Sequence, residues 1–271
     1  MKKRLNFYIA LQGCYTPEEY IRFGKLIESK GFNRIYVYDD LMFYPSFSIL
    51  NLIAEHTSKI ELGPCLVNGF YRHPAIIASN AAFLDALSNG RSVLGLGRGA
   101  FFDFLKMNDD EKFTRSAFKE TLLLIQHLFK QKKEGFYGEI FNTSKKAILR
   151  VPPPVKPYFI TATWNSKMAY LGGKYSNEVQ LAEVFTESYF NTITKAFTKG
   201  CKESKGNGAK HISIGGMICV ADDPNKAVET AKKTLAIYIP YLKAILKQHK
   251  VDVKSPLIKE IDYLSKHGNY Q

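Results

Sequence analysis

The 271-residue sequence has few cysteines, and they form no recognisable pattern. Cys14, Cys65, Cys201 and Cys219 are widely spaced and include no CxxC pair. Neither a zinc site nor a disulfide framework is therefore predicted, and we expect no bound metal. This cysteine usage is typical of a reducing compartment such as the cytoplasm.

Long apolar runs are also absent. No segment approaches the roughly 18 consecutive apolar residues of a membrane span, so no membrane association is expected. The basic start of the chain and its short apolar stretch resemble an export signal, but Asn6 and Gln12 interrupt that stretch. It also continues directly into a helix start at Thr16. We therefore expect a cytoplasmic protein.

Acidic residues are outnumbered, with 25 Asp and Glu against 38 Lys and Arg, which gives a net charge of +13. Such an excess favours an anionic partner, whether nucleic acid, lipid or a phosphorylated cofactor. The lysine-rich stretch from Lys243 to Lys259 lacks interleaved aromatic residues and any helix-turn-helix pattern. A solvated basic face is the better interpretation, and no nucleic-acid partner is expected.

Apolar strand-like runs alternate with amphipathic helices along the chain, without an internal repeat. Strands are predicted over residues 5–11, 34–38, 60–63, 92–96, 158–162, 178–182 and 212–220. This order predicts an α/β protein with a parallel sheet covered on both faces, either a barrel or a doubly wound sheet. A hairpin-like excursion near residues 133–156 interrupts the alternation, which then resumes. We therefore expect a single domain over residues 1–271.

Polar and glycine residues follow the predicted strands. Asp39 and Asp40 follow the second strand, and Gly95, Gly97 and Gly99 lie at the end of the fourth. The carboxyl ends of parallel strands converge, which favours a shared site there. The glycines complete neither the dinucleotide pattern nor a P-loop, so they predict either an anion-binding loop or a plain turn. Strand-like alternation would place Asp39 and Asp40 on opposite sides, which argues against a shared-proton pair.

Two further residues near these strand ends are chemically reactive types. Cys65 could be a nucleophile, but no histidine-bearing motif accompanies it, and a packed thiol is the better interpretation. His73 directly precedes Pro74 at a predicted helix start. We expect His73 to position the chain and not to act as a base.

A longer pattern lies between residues 57 and 99, which read TSKIELGPCLVNGFYRHPAIIASNAAFLDALSNGRSVLGLGRG. This run contains T-S-x-I-x-L-G, R-H-P, a Leu-Asp helix end and G-R-x-x-L-G-x-G, in that order. On these motifs the sequence resembles the bacterial-luciferase-like superfamily, particularly its methylenetetrahydromethanopterin-reductase-like members. YVYDDL, YFITAT and ICVADDPNKA look like further family counterparts, so the resemblance covers most of the chain.

The resemblance implies a (β/α)8 TIM-type barrel that binds coenzyme F-420 or FMN at the carboxyl ends of its strands. It also implies a homodimer and hydride transfer between the cofactor and a small organic substrate. Compared with a family barrel, the sequence lacks the eighth strand and final helix. The first and seventh strands are then expected to have unpaired edges.

Carried onto this sequence, the resemblance implies ten cofactor-binding residues on four loops. They are Asp39; Cys65, Leu66, Val67 and Asn68; Gly97, Arg98 and Gly99; and Ala162 and Thr163. Among them, Asp39 matches an aspartate near the cofactor ring. Cys65-Leu66 matches the position of a non-proline cis peptide behind that ring.

Three positions depart from the family pattern. Asp40 stands where several deazaflavin enzymes have histidine, Ala100 replaces an acid of some relatives, and Gly69 replaces a frequent proline. No general base is therefore assigned, and Asp39 and Asp40 are the candidate catalytic residues.

Three functions are compatible with these residues. The Gly-Pro-Cys-Leu-Val-Asn and Arg-His-Pro loop favours a deazaflavin-dependent oxidoreductase. An FMN-dependent monooxygenase supplied by a separate reductase is the alternative. Asp40, Ala100 and the missing last unit also fit a degenerate flavin-binding protein without catalysis. The substrate is not predicted.

Overall fold

A computed structural model of the chain describes residues 5–99, 102–107, 110–182, 186–204 and 210–268. Its strands are β1 Tyr8–Leu11, β2 Arg34–Val37, β3 Glu61–Pro64, β4 Val93–Leu96, β5 Tyr158–Ala162, β6 Glu178–Ala182 and β7 His211–Gly215. Its α-helices are α1 Pro17–Ser29, α2 Ser46–Glu55, α3 Pro74–Leu87, α4 Glu111–Phe129, α5 Ser166–Tyr175, α6 Glu187–Lys202, α7 Pro224–Gln248 and α8 Pro256–His267. A short 3-10 turn covers Phe102–Leu105.

Local sequence signals set several helix starts. Thr16 and Glu19 form a capping box before α1, with Pro17 at its first position. The Asp110 side chain accepts a hydrogen bond from the Phe113 N–H, so α4 begins at Glu111. Caps of this kind satisfy N–H groups that have no partner inside the helix.

Two elements near the C-terminal end differ from the prediction. β7 ends at Gly215 and not at residue 220, because only residues 211–215 pair with β6. Helix α8 was not predicted, although Ser255-Pro256 is a cap followed by proline at the first helical position. Its buried Ile261 packs with Ala236 and Ile239 of α7. This contact stabilises a segment whose charged composition gave little helical signal.

The seven strands are parallel and follow one another in chain order. One ladder joins β1, β2 and β3, and a second joins β4 to β7. Isolated parallel bridges at Leu62–Ser92 and Val67–Leu96 connect the two ladders. The predicted α/β alternation with a parallel sheet is confirmed. Within the described residues no ladder joins β7 to β1, and Ile212 and Ile214 of β7 are 43% and 58% exposed.

The sheet is strongly curved, as a contact across its concave side shows. Neighbouring strands lie about 4.8 Å apart, so β2 and β6 in a flat sheet would be separated by about 19 Å. Yet Arg34 Nη1 of β2 lies 3.1 Å from Glu178 Oε2 of β6. The strands therefore curl into a barrel wall, which excludes the doubly wound alternative.

A buried ionic cluster fills the amino end of this barrel. Arg34 donates from Nε to Glu61 at 2.7 Å and from Nη1 to the Tyr36 hydroxyl at 2.7 Å, in addition to its bond with Glu178. Its guanidinium also lies over the Tyr8 ring at 4.5 Å. Because this end is packed with side chains, a ligand would have to enter the barrel from the opposite, carboxyl end.

Glu120 of α4 anchors the excursion between α4 and β5 to the rest of the protein. Its carboxylate accepts hydrogen bonds from the N–H groups of Glu139, Ile140 and Phe141. An antiparallel bridge joins Tyr137 to Asn142. The extent of the domain, residues 1–271, stays a prediction.

None of the helices within the described ranges has an apolar stretch long enough to cross a membrane. Over the same ranges, no cluster of three or more His, Cys, Asp or Glu side chains has the arrangement of a metal site.

Candidate functional site

The predicted site residues lie where β2, β3, β4 and β5 end, on the side of the barrel opposite the Arg34 cluster. Asp39 and Asp40 follow β2, residues 65–68 follow β3, and residues 97–99 follow β4. Ala162 is the last residue of β5, and Thr163 directly follows it. Contacts between the loops gather these residues at one face of the barrel. Ala100, a predicted departure from the family pattern, lies outside the described residues.

Asp39 is the most strongly bonded carboxylate of this face. Its Oδ1 accepts from the Ser46 N–H at 3.1 Å and from the Ser46 hydroxyl at 2.7 Å. Its Oδ2 lies 2.5 Å from Arg72 Nη1, and the Asp39 side chain is only 7% exposed. Asp39 therefore ties the end of β2 to the start of α2 and to the loop before α3.

Asp40 has different surroundings from those of Asp39. Its Oδ2 accepts from Gln12 Nε2 at 3.0 Å. Burial raises the pKa of the Asp40 carboxyl, and the nearby charge of Asp39 raises it further, whereas the Gln12 hydrogen bond lowers it. The two neighbouring aspartates thus have separate partners, which agrees with the expectation that they do not share a proton.

The loop after β3 carries the cis peptide that the resemblance implies, between Cys65 and Leu66. Cys65 Sγ donates to Gln180 Oε1 of β6 at 2.6 Å. The Val67 N–H donates to Gly95 O, and Val67 O accepts from the Gly97 N–H. These bonds fix the loop against β4 and across the barrel against β6.

The glycines after β4 allow close approach of neighbouring loops. A Cβ at position 97 would lie 2.4 Å from Leu66 Cδ2 and 2.7 Å from Ala162 O. Gly99 has φ of +77°, and a Cβ there would lie 2.4 Å from Asn68 Nδ2. Gly97 is therefore the point at which the loops after β3, β4 and β5 meet.

The remaining predicted residues shape the loops. Asn68 is buried, and its Oδ1 accepts from the N–H groups of Phe70 and Tyr71. The Arg98 guanidinium lies over the Phe102 ring at 4.5 Å. Thr163 donates from its N–H to Gln180 O at 3.3 Å.

His73 has the positioning role that its place before Pro74 predicts. Its Nδ1 accepts a hydrogen bond from the Ala75 N–H at 3.2 Å and so caps α3. Its ring also contacts Phe141 of the excursion. Cys65, being buried and bonded to Gln180, fits the packed thiol better than the nucleophile.

Four residues of this face had no assigned role in the sequence analysis: Gln12, Ser46, Arg72 and Gln180. Gln12 directly follows β1, so it could have been found by extending the strand-end rule to every strand. Gln180 lies at the middle of β6, where that rule does not apply. Arg72 belongs to the Arg-His-Pro motif. Its pairing with Asp39, 33 residues away, carries no sequence signal.

The family model of the luciferase-like monooxygenases matches residues 9–268. The chain belongs to this family. The model thus spans all seven strands and both C-terminal helices.

Curated relatives carry reductase and dehydrogenase names. A 5,10-methylenetetrahydromethanopterin reductase of Methanopyrus kandleri is 26% identical over 92% of this chain and 76% of its own length. The enzyme of the same name from Archaeoglobus fulgidus is 30% identical over 83% of this chain and 66% of its own length. An F-420-dependent glucose-6-phosphate dehydrogenase of Kineococcus radiotolerans is 24% identical over 83% of this chain and 71% of its own length.

Solved structures confirm the barrel fold. The coenzyme F-420-dependent tetrahydromethanopterin reductase of Methanopyrus kandleri superposes with a TM-score of 0.79, covering 96% of this chain and 83% of that one at 23% identity. The oxygenating constituent of 3,6-diketocamphane monooxygenase from Pseudomonas putida, solved with FMN, gives 0.72 at 12% identity, covering 97% and 83%.

Proposed function

We propose that this protein is an oxidoreductase that transfers a hydride between coenzyme F-420 and a small organic substrate. The observation that carries this proposal is the close approach of Gly97 to Leu66 and Ala162, where the loops after β3, β4 and β5 meet. Small residues at this junction of loops would let a flat ring system approach the backbone closely. The names of the F-420-dependent dehydrogenases among the curated relatives, and of the F-420-dependent reductase that shares the fold, support F-420 as the cofactor.

The residues present fit a deazaflavin or flavin. Residues 65–67 would lie behind the ring, and the glycines at 97 and 99 would let backbone N–H groups approach the cofactor. The Asp39–Arg72 pair and Asp40 would form the polar edge of the site. When bound, the cofactor supplies the hydride; the protein orients it and excludes competing reactions.

An FMN-dependent monooxygenase is the second candidate. The family description and the fold shared with an FMN-bound oxygenating enzyme favour it. A flavin-binding protein without catalysis is a third possibility, since no histidine stands at position 40. The choice between the first two depends on which cofactor binds, and the third differs from both in the absence of turnover.

Titration of the purified protein with each cofactor distinguishes the first two candidates. We expect saturable binding of F-420 at micromolar concentration, followed by its fluorescence, and no comparable binding of FMN. Preferential binding of FMN would favour the monooxygenase and contradict our choice of cofactor. Binding of neither would contradict all three functions.

We also propose that the protein is a cytoplasmic homodimer. Ile76 and Phe83 are one helical heptad apart on α3, so they share a face, and they are 53% and 58% exposed. Met42 and Tyr44, which precede α2, are 79% and 60% exposed. Large exposed apolar residues on neighbouring elements are typical of an interface.

Phe83→Glu is expected to convert the dimer into a monomer in light scattering coupled to size exclusion, because it places a charge in the apolar interface. Ile237→Glu is the control, since Ile237 is an exposed apolar residue on α7, on a different element. A dimer that persists in Phe83→Glu, or is lost equally in Ile237→Glu, would contradict this interface.

A further inference from the structure

Gln180 reaches across the interior of the barrel from β6. It follows Glu178 by two residues, so its side chain enters the concave side of the sheet, where Glu178 meets Arg34. Gln180 Oε1 accepts a hydrogen bond from Cys65 Sγ, on the loop after β3. Because β4 and β5 lie between β3 and β6 in the sheet order, this bond spans the barrel.

The contact with Cys65 fixes which end of the Gln180 amide faces the loop after β3. A thiol is a hydrogen-bond donor and only a weak acceptor, so the carbonyl oxygen Oε1 is the partner that suits it. The main-chain oxygen of Gln180 accepts from the Thr163 N–H, which holds this part of β6 against the loop after β5. The NH₂ group of Gln180 therefore faces away from Cys65.

This NH₂ group is directed towards the carboxyl end of the barrel. In the β6–β7 ladder Gln180 pairs with Ser213, and Gly215 lies two residues further towards that end. A Cβ at Gly215 would have Gln180 Nε2 as its nearest neighbour, at 3.7 Å, an ordinary contact that would not displace the amide. Nε2 thus lies nearer to the mouth of the barrel than the Cα of its own residue.

The Gln180 NH₂ group is open to a ligand. Among the residues that the structure describes, none accepts a hydrogen bond from Nε2. The side chain is only partly buried, and its ladder partner on β5 is the small Ala162. A neutral donor with a fixed orientation and space beside it is typical of the few polar groups that orient a ligand in a pocket.

The position of Gln180 indicates which ligand the donor meets. In the proposed site, residues 65–67 lie behind the cofactor ring, and Gln180 is bonded to the first of them. A substrate must approach the ring from its other face, so a donor on the side of this loop meets the cofactor. The ring of F-420 carries carbonyl oxygens on its pyrimidine part, and these are acceptors that match an N–H donor.

We infer that Gln180 binds the cofactor directly, by donating a hydrogen bond from Nε2 to a ring carbonyl oxygen of F-420, and that Cys65 holds the amide in the required orientation. This inference rests on the proposed function and deepens it. It gives Gln180 a cofactor-binding role and Cys65 a positioning role.

F-420 binding to variants of Gln180, followed by cofactor fluorescence, tests this role. Gln180→Glu keeps an oxygen for Cys65 but replaces the NH₂ group by a second oxygen, which would face the carbonyl oxygen of the ring. Its dissociation constant should rise by about tenfold or more. Gln180→Leu should raise the dissociation constant by about 3- to 10-fold, the effect of one neutral hydrogen bond. Gln248→Glu, an equal change of charge at an exposed position ending α7, is the control and should leave the affinity unchanged.

Infrared difference spectra of the bound cofactor detect the hydrogen bond itself. The carbonyl bands of F-420, assigned with carbon-13 at the ring carbonyls, should lie at lower frequency in the wild type than in Gln180→Leu, because a hydrogen bond weakens the C=O bond. Cys65→Ala should give intermediate bands, since the amide loses the donor that orients it. Cys65→Ser should restore most of the wild-type shift, since its hydroxyl can donate in place of the thiol.

The outcomes separate this inference from the proposed function. If the wild type binds F-420 and both Gln180 variants, folded by circular dichroism, match it in affinity and carbonyl bands, the role of Gln180 is overturned and the function stays in place. Weaker binding with unchanged carbonyl bands would show that Gln180 acts through packing alone, which also overturns the inference. A wild type that binds no F-420 overturns the proposed function and this role with it.

Discussion

Replacing Arg34 with methionine should lower the free energy of unfolding by about 3–5 kcal/mol, the usual cost of removing one partner of a buried ion pair. Arg34 and Glu178 have side chains that are 5% and 2% exposed, and Nη1 lies 3.1 Å from Oε2. Without the guanidinium, the Glu178 carboxylate stays buried and unpaired by any cation. The Tyr36 hydroxyl also loses the donor that lies 2.7 Å away.

Urea denaturation followed by circular dichroism measures this loss. Arg22→Met is the matched control, because Arg22 is exposed on α1, and its unfolding free energy should change by no more than about 0.5 kcal/mol. The double variant Arg34→Met/Glu178→Gln should regain part of the loss, since it removes the unpaired charge. Equal stabilities of Arg34→Met and Arg22→Met would show that the cluster does not support the barrel.

Gly97→Ala should weaken F-420 binding by about tenfold or more, which corresponds to at least about 1.4 kcal/mol of binding free energy. A Cβ there would lie 2.4 Å from Leu66 Cδ2 and 2.7 Å from the Ala162 carbonyl oxygen. The backbone oxygen of a β-strand cannot easily move, so the loop after β3 must shift. That loop, residues 65–68, is part of the proposed cofactor site.

Gly215→Ala is the matched control for Gly97→Ala. Gly215 is the last residue of β7, whereas Gly97 is the first residue after β4. A Cβ at Gly215 would have its nearest neighbour, Gln180 Nε2, at an ordinary 3.7 Å. Overpacking at Gly97 should also cost about 1–3 kcal/mol of folding stability, whereas Gly215→Ala should cost less. Unchanged F-420 affinity in a folded Gly97→Ala protein would show that the junction of the loops after β3, β4 and β5 is not part of the binding site.

The strand-end residues were predictable because the carboxyl ends of parallel strands converge at one face of the sheet. Each predicted residue that the structure describes does lie at the carboxyl end of a strand, and the cis Cys65–Leu66 peptide occurs where the resemblance implies it. Whether these residues bind a cofactor stays a prediction. Helix α8 was missed because its stability depends on packing against α7 and not on its own composition.

The amino-acid sequence by itself determined the alternation of strands and helices, the family and the loops that form the candidate site, because apolar periodicity, caps and short motifs are local properties of the chain. Only the tertiary structure decided that the sheet curls, that Arg34 meets Glu178, that Arg72 engages Asp39 and that Gln12 holds Asp40. These pairs join residues 28 to 144 positions apart. These neighbours come together, and become buried, only when the sheet curls into the barrel wall.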